Sequence, residues 1–208
     1  MISFLHFIKY QPILPLKGGE QVNSITLFDL DILNYIQNNF RTAIGDYFWQ
    51  FMTMLGDGGI FFLILSISLI VYSKTREMGV RILFALVLCF IFGNVILKNA
   101  FARVRPFYVV ESFNLLISAP DGYSFPSGHT EASFAVATVF FLTNRRYILL
   151  YVLAACIGFS RLYLFVHYPS DVFFGMILGI VFGYLSYHII DFEKFKKRRG
   201  DINDNRQL

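Results

Sequence analysis

The stretch GVRILFALVLCFIFGNVIL, residues 79–97, holds a single charged residue, Arg81, near its start. Its length is close to the ~20 residues an α-helix needs to cross the ~30 Å hydrocarbon layer of a bilayer. Large apolar side chains on every face of such a helix leave no side for water, so it belongs in lipid or a protein core. Four other runs share this character, at residues 58–73, 129–143, 147–164 and 171–190. Some fall short of the span length, 129–143 most of all. Polar flanking residues that continue the helix would make up the difference.

Composition agrees. Apolar residues make up 56% of the 208-residue chain and charged residues 15%, against about 25% charged in a typical soluble domain. The expected fold is therefore an all-α integral-membrane bundle of about five transmembrane helices, with room for a sixth before residue 58. Three regions are expected: an amphipathic, interfacial segment at 1–57, a transmembrane catalytic bundle at 58–191, and a basic tail at 192–208. In the first, Leu27, Leu30, Ile32, Leu33, Tyr35, Ile36 and Phe40 alternate with Asp29, Asp31, Asn34, Gln37 and Asn38. That spacing predicts a helix lying on the membrane surface. Tyr47, Phe48, Trp49 and Phe51 read as an interfacial aromatic group. The first sixteen residues, with His6, Pro12 and Pro15, lack the pattern of a cleavable signal peptide. Cys89 and Cys156 sit within apolar runs and read as small buried residues.

Charge sets the expected orientation. Lys74, Arg76, Arg81, Arg145, Arg146 and the tail run from Lys194 to Arg199 all fall on one side of the alternating spans. The positive-inside rule makes that side, with the C-terminus, cytoplasmic. The basic tail is then an orientation signal, and no nucleic-acid partner is expected. The connections at 99–128 and 165–170 fall on the extracytoplasmic side.

On that side, ionisable residues collect at three helix ends, where they are costly and point to function. Lys98 and Arg105 are seven apart, about two helical turns. If the helix runs on to Pro106, both face one ligand, unless they are anchors that reach for the lipid headgroups. Pro126-Ser127-Gly128-His129 sits where a loop becomes a helix. It reads either as an ordinary turn with Ser127 as cap or as an anion site at a helix N-terminus. Ser160-Arg161, His167 and Asp171 form the third cluster. A carboxylate on one imidazole nitrogen of His167 would leave the other free to attack.

Taken in order, Lys98-x6-Arg105-Pro106, Pro126-Ser127-Gly128-His129 and Ser160-Arg161-x5-His167-x3-Asp171 resemble the three motifs of the type 2 phosphatidic acid phosphatase superfamily, in its membrane lipid phosphatase branch. Every spacing matches, although the N-terminal region departs from six-span members. The resemblance implies metal-independent hydrolysis of a lipid phosphate monoester or diphosphate without a cofactor. Phosphatidylglycerol phosphate, phosphatidate and an undecaprenyl-type diphosphate are the candidate substrates, in a bacterial plasma membrane. It implies His167 as the nucleophile that becomes a phosphohistidine, Asp171 as its orienter and His129 as general acid. Lys98, Arg105, Ser127, Gly128 and Arg161 would cradle the phosphate. No acidic cluster suggests a metal site. Alternatives are a phosphotransferase using the same phosphohistidine and a non-catalytic lipid-binding or transport protein.

Three residues lie outside those motifs. Arg103 is expected to be a headgroup contact or anchor. Glu131 would tune His129, pair with a cation, or face water at the helix start. Asp57 reads as a turn residue. His6 and His188 are given no role.

Overall fold

A computed structural model of the chain describes residues 24–110 and 113–190. The basic run from Lys194 to Arg199 and the first sixteen residues lie outside the described residues, as do Glu111 and Ser112 within the expected headgroup loop 107–123. Among the described residues the regular structure is helical, with no β-strand.

The helices are α1 (Ser24–Asn39), α2 (Ala43–Met54), α3 (Ile60–Val71), α4 (Arg76–Leu88), α5 (Lys98–Phe101), α6 (Pro106–Val109), α7 (Gly128–Thr143), α8 (Leu149–Tyr163) and α9 (Pro169–Ile189). Among the described residues, four helical stretches are long and apolar enough to cross a membrane: Ala43–Val71, Arg76–Val109, Arg145–Tyr163 and Pro169–Ile189. The first reaches back to Ala43, beyond the expected start at residue 58, so the aromatic run from Tyr47 lies on α2, which joins α3 through the turn Asp57–Gly59. Between α2 and α3, Gly58 (φ 57°) and Gly59 (φ 69°) take left-handed backbone that other residues adopt only at a cost. They make the turn that separates α2 from α3.

The expected span at 129–143 is α7, only 16 residues long, about 24 Å at 1.5 Å per residue. It is the central helix: every residue from Thr130 to Val139 is buried. Its neighbours, rather than lipid, satisfy its surface. Between helices in lipid the hydrophobic effect gives little drive, so close backbone contact has to supply the stability. Gly175, Gly179 and Gly183 form a stripe on α9 against α7. A Cβ at these positions would come within 2.7, 2.3 and 2.6 Å of the carbonyl oxygens of Ser127, Glu131 and Ala135. Around this pair, Phe62, Ile82, Ala85, Val139 and Ile157 fill a core shared by α3, α4, α7 and α8.

Two irregularities place the site. After α4 the chain widens into a π-helix at Cys89–Leu97, a form often found at functional positions. Then α5 stops at Phe101, because Ala102 turns left-handed at φ 44°. Pro106 opens α6 at its first turn, where its missing N–H costs nothing. This corrects the expectation of one helix running on to Pro106. Lys98 and Arg105 are brought together by a turn, not by a shared helix face.

α1 forms as the amphipathic spacing predicts. Leu30 and Leu33 pack on Val109, Val110, Phe165 and Tyr168, while Ile36 packs on Tyr163, Leu164 and Val166. One face of the helix is thus covered by the protein itself, at the end of the bundle that carries His167. Phe28 and Tyr35 remain exposed on the other side.

Candidate active site

His167 sits in the turn between α8 and α9 and is 2% exposed. Its Nε2 lies 3.2 Å from Arg105 Nη1. Its Nδ1 lies 3.5 Å from Asp171 Oδ2 and has no hydrogen-bond partner. That distance is beyond a formed hydrogen bond, as catalytic contacts often are before substrate binds. Burial, followed by the positive charges of Arg105, Arg161 and Lys98, pushes the imidazole well below its ordinary pKa. That setting favours the neutral ring, which keeps a lone pair for attack.

Asp171 is fully buried in the first turn of α9. Its Oδ2 accepts the backbone N–H of Tyr168 at 2.9 Å, so it caps its own helix while facing His167. Its Oδ1 accepts from Arg103 Nη1 at 2.7 Å. Arg103 also donates to Ser170 Oγ at 2.7 Å and to Asp29 Oδ2 at 2.7 Å, and it stacks on the Tyr168 ring at 3.9 Å. Asp29, buried on α1, accepts the backbone N–H of Ser170 at 3.0 Å. Arg103 is therefore not a headgroup anchor. It is a half-buried clamp between two buried carboxylates, one of them the partner of His167.

Arg105 is fixed by carbonyls. It donates to Gly122 O at 2.9 Å, Asp121 O at 3.0 Å and Val166 O at 3.0 Å. Arg161 is 2% exposed in the last turn of α8. Its Nη1 donates to Thr53 Oγ1 of α2, and its Nε is buried without a partner. Among the described residues no carboxylate forms an ion pair with Lys98, Arg105 or Arg161.

Ser127 occupies the cap position of α7, but its Oγ pairs with Thr130 Oγ1 at 2.9 Å and caps no backbone N–H. The expected side-chain cap is absent, so the first turn of α7 presents its N–H groups uncapped beside Gly128. His129 Nε2 lies 2.8 Å from Asp57 Oδ1. Asp57 is thus more than a turn residue, since the kink carries it to His129. Glu131 is fully buried rather than water-facing, with the Cys89 thiol beside it. It packs against Gly93 of the π-helix, where a Cβ would fall 2.0 Å from it.

A cavity of about 550 Å³ unites these groups. Lys98, Arg105, His129, Arg161 and His167 line one part of it, and Gly128 and Asn94 lie at the helix start. Leu63, Leu83, Leu86 and Val87, from α3 and α4, line the rest. Cations thus meet an apolar wall in one space. Among the described residues no group of three or more His, Cys, Asp or Glu is placed to hold a metal ion.

The sequence matches the family model of the PAP2 superfamily over residues 78–195, which takes in every motif residue from Lys98 to Asp171. The chain belongs to the PAP2 superfamily. An undecaprenyl-diphosphatase from Sulfolobus acidocaldarius is 30% identical over 94% of this chain and 93% of its own length. Among solved structures, Aquifex aeolicus LpxE aligns with a TM-score of 0.66 at 33% identity, covering 76% of this chain and 94% of that one. A PAP2-type phosphatidylglycerolphosphate phosphatase from Bacillus subtilis aligns with a TM-score of 0.66 at 25% identity, over 86% and 89%. With its apolar spans, the chain is a membrane phosphatase of the PAP2 superfamily.

Proposed function

We propose that this PAP2 phosphatase hydrolyses the terminal phosphate of a membrane lipid through a phosphohistidine on His167. The observation that carries the reading is the cavity: cations without carboxylate partners and an apolar wall line one space, and His167 Nε2, beside Arg105, lines it with them. A lipid phosphate has the matching two-part character. Phosphoryl transfer needs in-line positioning and compensation of charge on the equatorial oxygens. Lys98, Arg105, Arg161 and the uncapped N–H groups beside Gly128 supply that compensation, and a phosphate oxygen would satisfy the orphaned Nε of Arg161.

The steps balance without a metal. His167 Nε2 attacks phosphorus as the bond to the leaving oxygen breaks, and His129 gives that oxygen a proton. The Nδ1–H of His167 stays on the ring and donates a hydrogen bond to Asp171, whose negative charge offsets the positive charge the ring gains. Water then attacks phosphorus, His129 accepts its proton, and phosphate leaves with His167 restored.

Near full-length similarity to an undecaprenyl-diphosphatase favours an isoprenoid diphosphate. The basic connections support placing the reaction on the extracytoplasmic face. Arg81 hydrogen-bonds Ile190 O at the far end of α9 from Asp171, about 30 Å away for a 21-residue helix.

The test is phosphate release by purified protein in detergent from undecaprenyl diphosphate, phosphatidate and phosphatidylglycerol phosphate, with EDTA present. Release is expected to survive EDTA and to be fastest from the diphosphate. Loss of release on chelation would overturn the metal-free mechanism, and faster release from either glycerolipid would overturn the substrate assignment.

A further inference from the structure

The kink between α2 and α3 brings a carboxylate to the proton donor, and the superfamily motifs do not include it. Asp57 opens the turn Asp57–Gly59. Its Oδ1 lies 2.8 Å from His129 Nε2. The backbone before it packs on the ring, since a Cβ at Gly56 would come within 2.5 Å of His129 Cδ2. The left-handed Gly58 and Gly59 complete the turn, and Gly56, Gly58 and Gly59 line the same cavity as His167. Among the described residues, His129 Nδ1 has no hydrogen-bond partner.

We propose that Asp57 is a positioning residue for the proton donor, holding His129 by Nε2 so that Nδ1 meets the leaving oxygen. The proposal rests on the phosphatase reading above. The Asp57 side chain is 60% exposed, and so open an ion pair contributes little to stability. Its effect is on the ring. Lys98, Arg161 and His167 line the same cavity as His129. Burial and then the two cations oppose a positive charge on His129, and the Asp57 carboxylate at Nε2 works against both. Glu131, two residues on, is turned away against Gly93. As an imidazolium, His129 keeps Nε2–H on Asp57. Nδ1–H passes to the leaving oxygen as the P–O bond breaks and the bond from His167 Nε2 to phosphorus forms. The neutral ring regains that proton at Nδ1 from the water that attacks the phosphohistidine.

The experiment compares wild type and Asp57→Asn on two esters carrying the same long alkyl chain. One is an alkyl phosphate, whose leaving group needs a proton. The other is an aryl phosphate, whose phenolate leaves with less help. General acid catalysis contributes about 10²–10⁴-fold, so kcat/KM on the alkyl ester is expected to fall at least about tenfold, and on the aryl ester by less than about threefold. Asp57→Glu, which keeps the carboxylate, is expected to recover alkyl-ester turnover. Equal losses on both esters would make Asp57 merely structural and overturn the proposal, as would no loss on either. A wild-type protein that releases phosphate from neither ester would instead sink the phosphatase reading itself.

Discussion

Arg103 shows how much of this site depends on a residue outside the motifs. It bonds Asp171 on one side and Asp29 on the other, both at 2.7 Å. One Asp171 oxygen is thereby occupied, and the other is left for the Tyr168 N–H and His167. Removing Arg103 would leave two buried carboxylates uncompensated, a loss of about 3–5 kcal/mol for a broken buried pair. It would also free Asp171 to move, and misplacement by about an ångström costs roughly a hundredfold in rate. Arg103→Met is therefore expected to lower kcat about a hundredfold while KM changes little, with Arg103→Lys recovering part of the loss. Steady-state kinetics on detergent-purified protein checks this, and an unchanged kcat would show the clamp to be irrelevant to His167. The sequence pointed to Lys98, Arg105, Ser127, Gly128, His129, Arg161, His167 and Asp171, and the fold brings these to one end of the bundle. It did not reveal Arg103, because Asp29 lies 74 residues away on another helix. Three cations within residues 98–105, two of them in the motif, were the available signal that a counter-charge was needed. Asp57 was hidden for a similar reason, since its partner is 72 residues on.

At the level of elements, apolar run length located the membrane-crossing helices but not their irregularities. Hydropathy does not register the kink that joins α2 to α3, because Gly58 and Gly59 are neutral to it. It also understates α7, whose burial comes from neighbouring helices. The amphipathic period of α1 was legible, but periodicity cannot say whether the apolar face meets lipid or protein, and here one face meets Val109, Phe165 and Tyr168. The α7–α9 contact makes a firm demand of its own. A side chain at Gly179 would meet the Glu131 carbonyl at 2.3 Å and the Ala135 nitrogen at 3.0 Å, and backbone atoms cannot step aside. Overpacking typically costs about 1–3 kcal/mol. Gly179→Leu is expected to lower the thermal unfolding temperature in detergent, whereas Ile180→Leu, at a partly exposed neighbouring position, is expected to leave it nearly unchanged. An equally stable Gly179→Leu protein would show that the stripe does not hold the bundle together.

For the whole molecule, the bundle holds a cavity lined by cations and by apolar side chains. Short turns and basic residues close one end. At the other, α1, the connection after α5 and the turn before α9 converge, and the cavity there continues down an apolar wall between α3 and α4. The central claim is that His167 carries the phosphoryl group between lipid and water. Turnover of a lipid substrate labelled in its terminal phosphate, stopped in alkaline denaturant to preserve a phosphorus–nitrogen bond, tests it directly. Label is expected in the peptide containing His167, stable to base, lost in acid, and absent from His167→Ala, which also releases no phosphate. Label on another residue, or undiminished phosphate release by His167→Ala, would contradict the account.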